Sequence, residues 1–85
     1  MLEQMVKNVA NYFLEEMKEN DFETFEDMKQ CYWWTSQDIK EEVNAVLNDY
    51  DWAIDEVDGS DIFDNNGALA CSYRSFMAKV YKIIK

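Results

Sequence analysis

From Ser36 to Val57 the apolar residues Ile39, Val43, Val46, Leu47, Tyr50, Ala53, Ile54 and Val57 fall three and four positions apart. That period gathers them on one face of a helix and would scatter them over both faces of a strand. The chain contains no proline, and its two glycines, Gly59 and Gly67, both sit in the stretch DGSDIFDNNG from Asp58 to Gly67. This stretch is therefore the one clear loop, with Ile62 and Phe63 pinning it to the core. No segment sustains an apolar/polar alternation, so strands are disfavoured. The expectation is an all-α fold, a small single-domain bundle of three to four helices covering residues 1–85.

The other helices follow from the same periodicity. Leu2, Met5, Val6, Val9, Ala10, Phe13 and Met17 share one stripe of a first helix over 2–18, with Glu3, Lys7, Asn11 and Glu15 turned away. Thr24, with Asp27 three residues on, resembles a capping box that opens a second, shorter helix with Phe25, Met28 and Tyr32 inward. Trp33 and Trp34 close it, and adjacent helical residues point about 100° apart, so one indole packs inward while its neighbour covers another element or stays exposed. Ser36 serves as the N-cap of the long middle helix, where Asp38 and Glu41 favour the positive end of the macrodipole. Asp55, Glu56 and Asp58 at its far end oppose that dipole. From about Asn66 to Lys85 a last helix faces Leu69, Tyr73, Phe76, Met77, Val80, Tyr81, Ile83 and Ile84 inward.

Charge is distributed as unevenly as hydropathy. The chain has a net charge of −10 with 48% hydrophobic and 15% aromatic residues, so the charge rides on a folded body rather than a disordered one. Ten of the eighteen acids lie between Ser36 and Asp64, where Lys40 is the one base and the local charge is −9. The last helix carries Arg74, Lys79, Lys82 and Lys85 and no acid. On the middle helix Asp38, Glu42, Asp49 and Glu56 fall within roughly 40° of one another, with Glu41 and Asp55 beside them. A rail of carboxylates about 27 Å long thus runs beside the core face, at about 1.5 Å per residue.

Many chemistries are excluded by residue type. Histidine is absent, which removes the commonest general base near neutral pH and a frequent zinc ligand. The acids follow hydrophilic helix faces, so none is desolvated enough to hold a proton for acid catalysis, and the protein is expected not to be an enzyme. Asp58, Asp61 and Asp64 do not fit the twelve-residue EF-hand spacing about either glycine and read as a solvated turn, so neither metal nor other cofactor is expected. Cys31 and Cys71 lack any CxxC spacing and read as reduced, packed thiols. No apolar run approaches the roughly 20 residues that span a bilayer, and no basic region leads into an apolar one at the N-terminus, so a cytoplasmic protein is expected. The negative charge repels nucleic acid and anionic membrane, which makes any electrostatically steered partner basic.

An average acidic helix face does no more than keep a protein soluble, but two features set this one apart. Its acids are barely relieved by lysine, whereas a face tuned for helix stability mixes signs four residues apart. In addition, Trp52 lies opposite the apolar stripe, close to Asp49 and Glu56, and is either covered by the fold or offered as an anchor ringed by charge. The spacing of the carboxylates is on the scale of duplex phosphates, about one charge per 1.7 Å of axis. In these general properties the chain resembles the small acidic DNA-mimic inhibitors made by phages and mobile elements against restriction or CRISPR nucleases, a likeness of character carried by no motif. It implies an inhibitor or regulator seated on a basic surface of a nucleic-acid-processing enzyme, with Asp38, Glu41, Glu42, Asp49, Asp55 and Glu56 standing in for phosphates and Trp52 as anchor. The alternative is a general interaction or assembly module, including a homodimer that packs Trp33 or Trp34 between chains.

Overall fold

The structure, a computed structural model, describes residues 2–49, 53–54, 61–64 and 66–84. The elements in chain order are α1 (Leu2–Glu19), α2 (Phe25–Cys31), α3 (Ser36–Asn48), β1 (Ala53–Ile54), β2 (Asp61–Phe63), β3 (Leu69–Ser72) and α4 (Tyr73–Ile84). The domain is mainly helical, as the periodicity requires, and it also carries a small antiparallel sheet that the periodicity does not announce.

α1 forms because its apolar stripe has the 3.6-residue period and no β-branched run opposes it. Met5, Val6, Val9, Ala10, Phe13 and Met17 are all buried. It packs most extensively against α4 and next against α3. α2 and α4 deliver Met28 and then Phe76, Met77, Val80 and Ile84 to the same core, and α3 adds Ile39, Val43, Val46 and Leu47. A ladder of edge-on rings, Phe13 against Tyr12, Phe25 and Trp34 at centroid distances of 5.4, 5.1 and 6.1 Å, stitches the first two helices and the turn after them together.

Both α1 and α2 end in a Schellman turn without glycine. After α1, the Phe22 amide donates to the Met17 carbonyl at 2.9 Å and Asp21 to Lys18 at 3.4 Å, with Asp21 at φ +57. After α2, Trp34 donates to Lys29 at 3.0 Å and Trp33 to Gln30 at 3.2 Å, with Trp33 at φ +58. The reversal at Trp33 points one indole outward, 88% exposed, and lets the next, Trp34, lie against the core, as the offset of adjacent residues anticipates. The thiols behave unequally: Cys31 is exposed rather than packed, while Cys71 is half-buried and burial pushes its thiol up; both are free.

Several sequence expectations give way from the end of α2 onward. The middle helix stops at Asn48 with Asp49 as its C-cap, and Ala53–Ile54 pair as a strand instead of continuing it to Val57. The cause lies in the charges: the last turn of α3 holds no base and the acid Asp49 stands at its C-cap, against the negative end of the dipole, so charge favours no further turn. Its N-cap is Thr35, one residue before Ser36. Residues 61–63, expected within the loop, are β2, residues 69–72 are β3 and not helix, and Tyr32, Leu69 and Ile83, all expected inward, are 39%, 62% and 41% exposed.

The sheet has the order β1-β2-β3, with Ala53 opposite Phe63, Ile54 opposite Ile62, and Ile62 opposite Cys71. A bulge at Ala70 brings Leu69 rather than Ala70 opposite Phe63. The β2–β3 turn is closed by Asp64, whose Oδ1 accepts from the amides of Asn66 at 2.9 Å and Ala68 at 3.0 Å, while Gly67 takes φ +81, which glycine adopts without Cβ penalty. Ile62 is completely buried and ties the sheet to the helical core, as expected of it. Ser72 Oγ accepts from the Ser75 amide at 3.1 Å and so caps α4 directly off the strand.

Candidate functional site

The four described members of the carboxylate rail are Asp38, Glu41 and Glu42 on α3 and Asp49 at its C-cap. Trp52, Asp55 and Glu56 lie outside the described residues. The four are not equivalent. Asp38 belongs to a capping box: its Oδ2 accepts from the Thr35 amide at 2.8 Å and the Thr35 hydroxyl at 3.0 Å, and its own amide donates to Thr35 Oγ1 at 3.2 Å. Glu42 accepts a 2.7 Å hydrogen bond from the Tyr12 hydroxyl of α1. Glu41 and Asp49 are exposed, with no side-chain partner.

Because α1 and α3 run alongside each other, the rail is one wall of a two-helix feature. Asn8, Asn11, Tyr12 and Glu15 of α1 line an open groove of about 500 Å³ with Ala45, Val46 and Asp49. Their spacing of three and four residues along α1 is the signal that marks them as one face, and it was present in the sequence as the polar flank of the first helix. The floor is the buried Val46 and the half-buried Tyr12 ring, and the rims carry Glu15, Glu42 and Asp49. Burial, the bond to Glu42, and the charges of Glu42 and Glu16 together push the Tyr12 hydroxyl well above the ordinary tyrosine range, so it stays a hydrogen-bond donor at any physiological pH.

Two of the bases, Lys29 and Lys40, are engaged away from the rail. The one ion pair among the described residues joins Lys29 to Glu26 at 3.8 Å within α2. Lys40, the single base of α3, lies over the Tyr73 ring of α4, 5.1 Å from its centroid, and does not reach a carboxylate. Among the described residues no ion pair joins a base to Glu15, Glu41, Glu42 or Asp49. Chemically this face can steer and orient a cationic surface; it offers no imidazole, and among the described residues no group of three or more acidic or cysteine side chains is placed to hold a metal. Nor is any helix among the described residues long and apolar enough to cross a membrane. Comparison with protein-family models, curated proteins and solved structures finds no match to this chain.

Proposed function

We propose that the protein is a binding inhibitor or regulator, not a catalyst, that seats its acidic α1–α3 face on a basic nucleic-acid-binding surface of a protein in the manner of a DNA mimic. The observation that supports this reading is the set Glu15, Glu41 and Asp49, exposed along the two helices and in no ion pair among the described residues. Surface acids whose only role is solubility gain from being interleaved with lysine. A row of acids in no ion pair costs self-repulsion, which a basic partner would relieve, and it raises the association rate with that partner. Asp38 and Glu42 are held in fixed rotamers by Thr35 and Tyr12, which lowers the entropy lost on docking.

The test is capture from a lysate at low salt, elution with a salt gradient, and competition by duplex DNA for what is retained. A nucleic-acid enzyme released steeply with salt and displaced by DNA supports the reading. The Glu15→Lys, Glu41→Lys, Asp49→Lys triple variant should lose that capture, and it spares Asp38 and Glu42, whose reversal would disturb the fold. Retention insensitive to salt and to the triple variant overturns the proposal. The second reading, an assembly module, has the exposed Trp33 in its favour; a dimer that sediments unchanged between low and high salt decides for it.

A further inference from the structure

The turns that end α1 and α2 lie side by side, bound by the edge-on contact of Phe22 and Tyr32 at 5.6 Å. In each, the residue at the left-handed position has a side chain where glycine is strain-free. For Asp21 the exception is mild, since a short polar side chain tolerates this backbone. For Trp33 it is not. A bulky aromatic at φ +58 is strained, and at 88% exposure its indole recovers almost nothing by burial within the fold. Its half-exposed neighbour Tyr32 widens the aromatic surface, and Lys29, Gln30 and Trp34 line an open hollow of about 420 Å³ beside it. Backbone strain that holds a large aromatic out in solvent is the arrangement of an anchor set in place before its partner arrives.

The surrounding charge says what the anchor meets. Between Glu16 and Lys29 the chain places six acids against two lysines, and Lys29 is already paired with Glu26. Glu19, Asp21 and Glu23 are exposed around the two turns. A second copy of the chain docking through this end would set acid against acid, and an anionic bilayer would be repelled for the same reason. We propose that Trp33 is the aromatic anchor by which the acidic α1–α2 end enters an apolar pocket in a basic protein surface. This rests on the reading of the partner as basic, and it adds an aromatic contact to the carboxylates of α3, whose N-cap Thr35 stands two residues after Trp33.

The experiment uses two cationic peptides of equal length and charge, polylysine and an amphipathic lysine–leucine helix, titrated into the full chain at low salt. The chain should prefer the lysine–leucine peptide, and Trp33→Gly should reduce that preference by roughly thirtyfold, the range of an interface hot spot, while its melting temperature stays the same or rises. A preference that survives Trp33→Gly overturns the proposal. So does a fall in melting temperature, which would make Trp33 a structural residue, or a salt-independent dimer that Trp33→Gly dissociates, which would make the occupant a second copy. The Glu15, Glu41, Asp49 triple variant separates the two ideas. If it alone loses polylysine binding while Trp33→Gly alone loses the preference, both stand. If it binds polylysine unchanged, the role of the α1–α3 face fails on its own, whatever Trp33 does.

Discussion

Tyr12 and Glu42, thirty positions apart, are joined by a 2.7 Å hydrogen bond that crosses from α1 to α3 at the rim of the acidic groove. The bond fixes one carboxylate of the candidate site and at the same time sets the spacing of the two helices that form it. Tyr12→Phe keeps the edge-on contact with Phe13 and removes only the donor. Since the pair is part-buried and water can replace the hydroxyl at Glu42, the loss should be about 1 kcal/mol, read as a lower urea midpoint at unchanged slope.

The tyrosines predict how stability responds to alkali. Tyr12, Tyr32, Tyr73 and Tyr81 are all raised, by burial first in each case; Tyr73 is pushed up to about 12. In the unfolded chain they ionise near the ordinary 10, so above that pH the unfolded state has lost protons that the folded state retains. Stability is therefore fully present below pH 10 and falls as pH rises from about 10 toward 12. Urea midpoints measured at pH 8, 10, 11 and 12 should decline across the last three, and less steeply in a Tyr12→Phe, Tyr73→Phe double variant. A decline identical in that variant would contradict the role of these two tyrosines.

The cap of α3 separates two neighbouring hydroxyls. Thr35→Ala should cost about 1 kcal/mol because it removes the hydroxyl that accepts from the Asp38 amide and donates to the Asp38 carboxylate, leaving the Thr35 amide bond to that carboxylate in place, whereas Ser36→Ala should be neutral. Thermal midpoints of the two variants check this, and equal losses would contradict the box.

That cap shows what was legible in the chain and what was not. The helix start was visible, and its box was too, since Asp38 stands three residues after Thr35 and only two after Ser36; choosing Ser36 overlooked that spacing. α1, the inward Met28 and the buried Ile62 follow from the apolar pattern, whereas the split of Trp33 and Trp34, expected from a helical angle, comes from the left-handed turn at Trp33. The sheet does not, because strands of two, three and four residues are too short to display a period of two, and they lie where helical spacing continues by coincidence. On the acidic face, Asp38, Glu41, Glu42 and Asp49 could be placed from sequence. The contribution of Asn8, Asn11, Tyr12 and Glu15 needed the pairing of α1 with α3, which no local pattern encodes.

The turn after α1 offers a stabilising change. Asp21 holds φ +57 with both Schellman bonds in place, so Asp21→Gly relieves the left-handed backbone without disturbing either bond and also removes one acid from a crowded end. A gain of about 0.5–1 kcal/mol is expected from denaturant unfolding, smaller at high salt as the charge component is screened.

Whether the sheet is part of the domain's cooperative core or an appendage of it turns on Ile62. It is the one buried residue of β2 and β3, paired with Cys71 across them, and its side chain joins the cluster formed by the four helices. If the sheet unfolds with the helices, Ile62→Ala leaves a cavity in that shared core and should cost about 2–5 kcal/mol, a large share of the stability of a chain of 85 residues. Far-ultraviolet and tryptophan signals would then move together to a lower midpoint. If β1–β3 open on their own, the same change should instead speed amide exchange in residues 61–72 and leave the exchange of α1 and α4 unaltered.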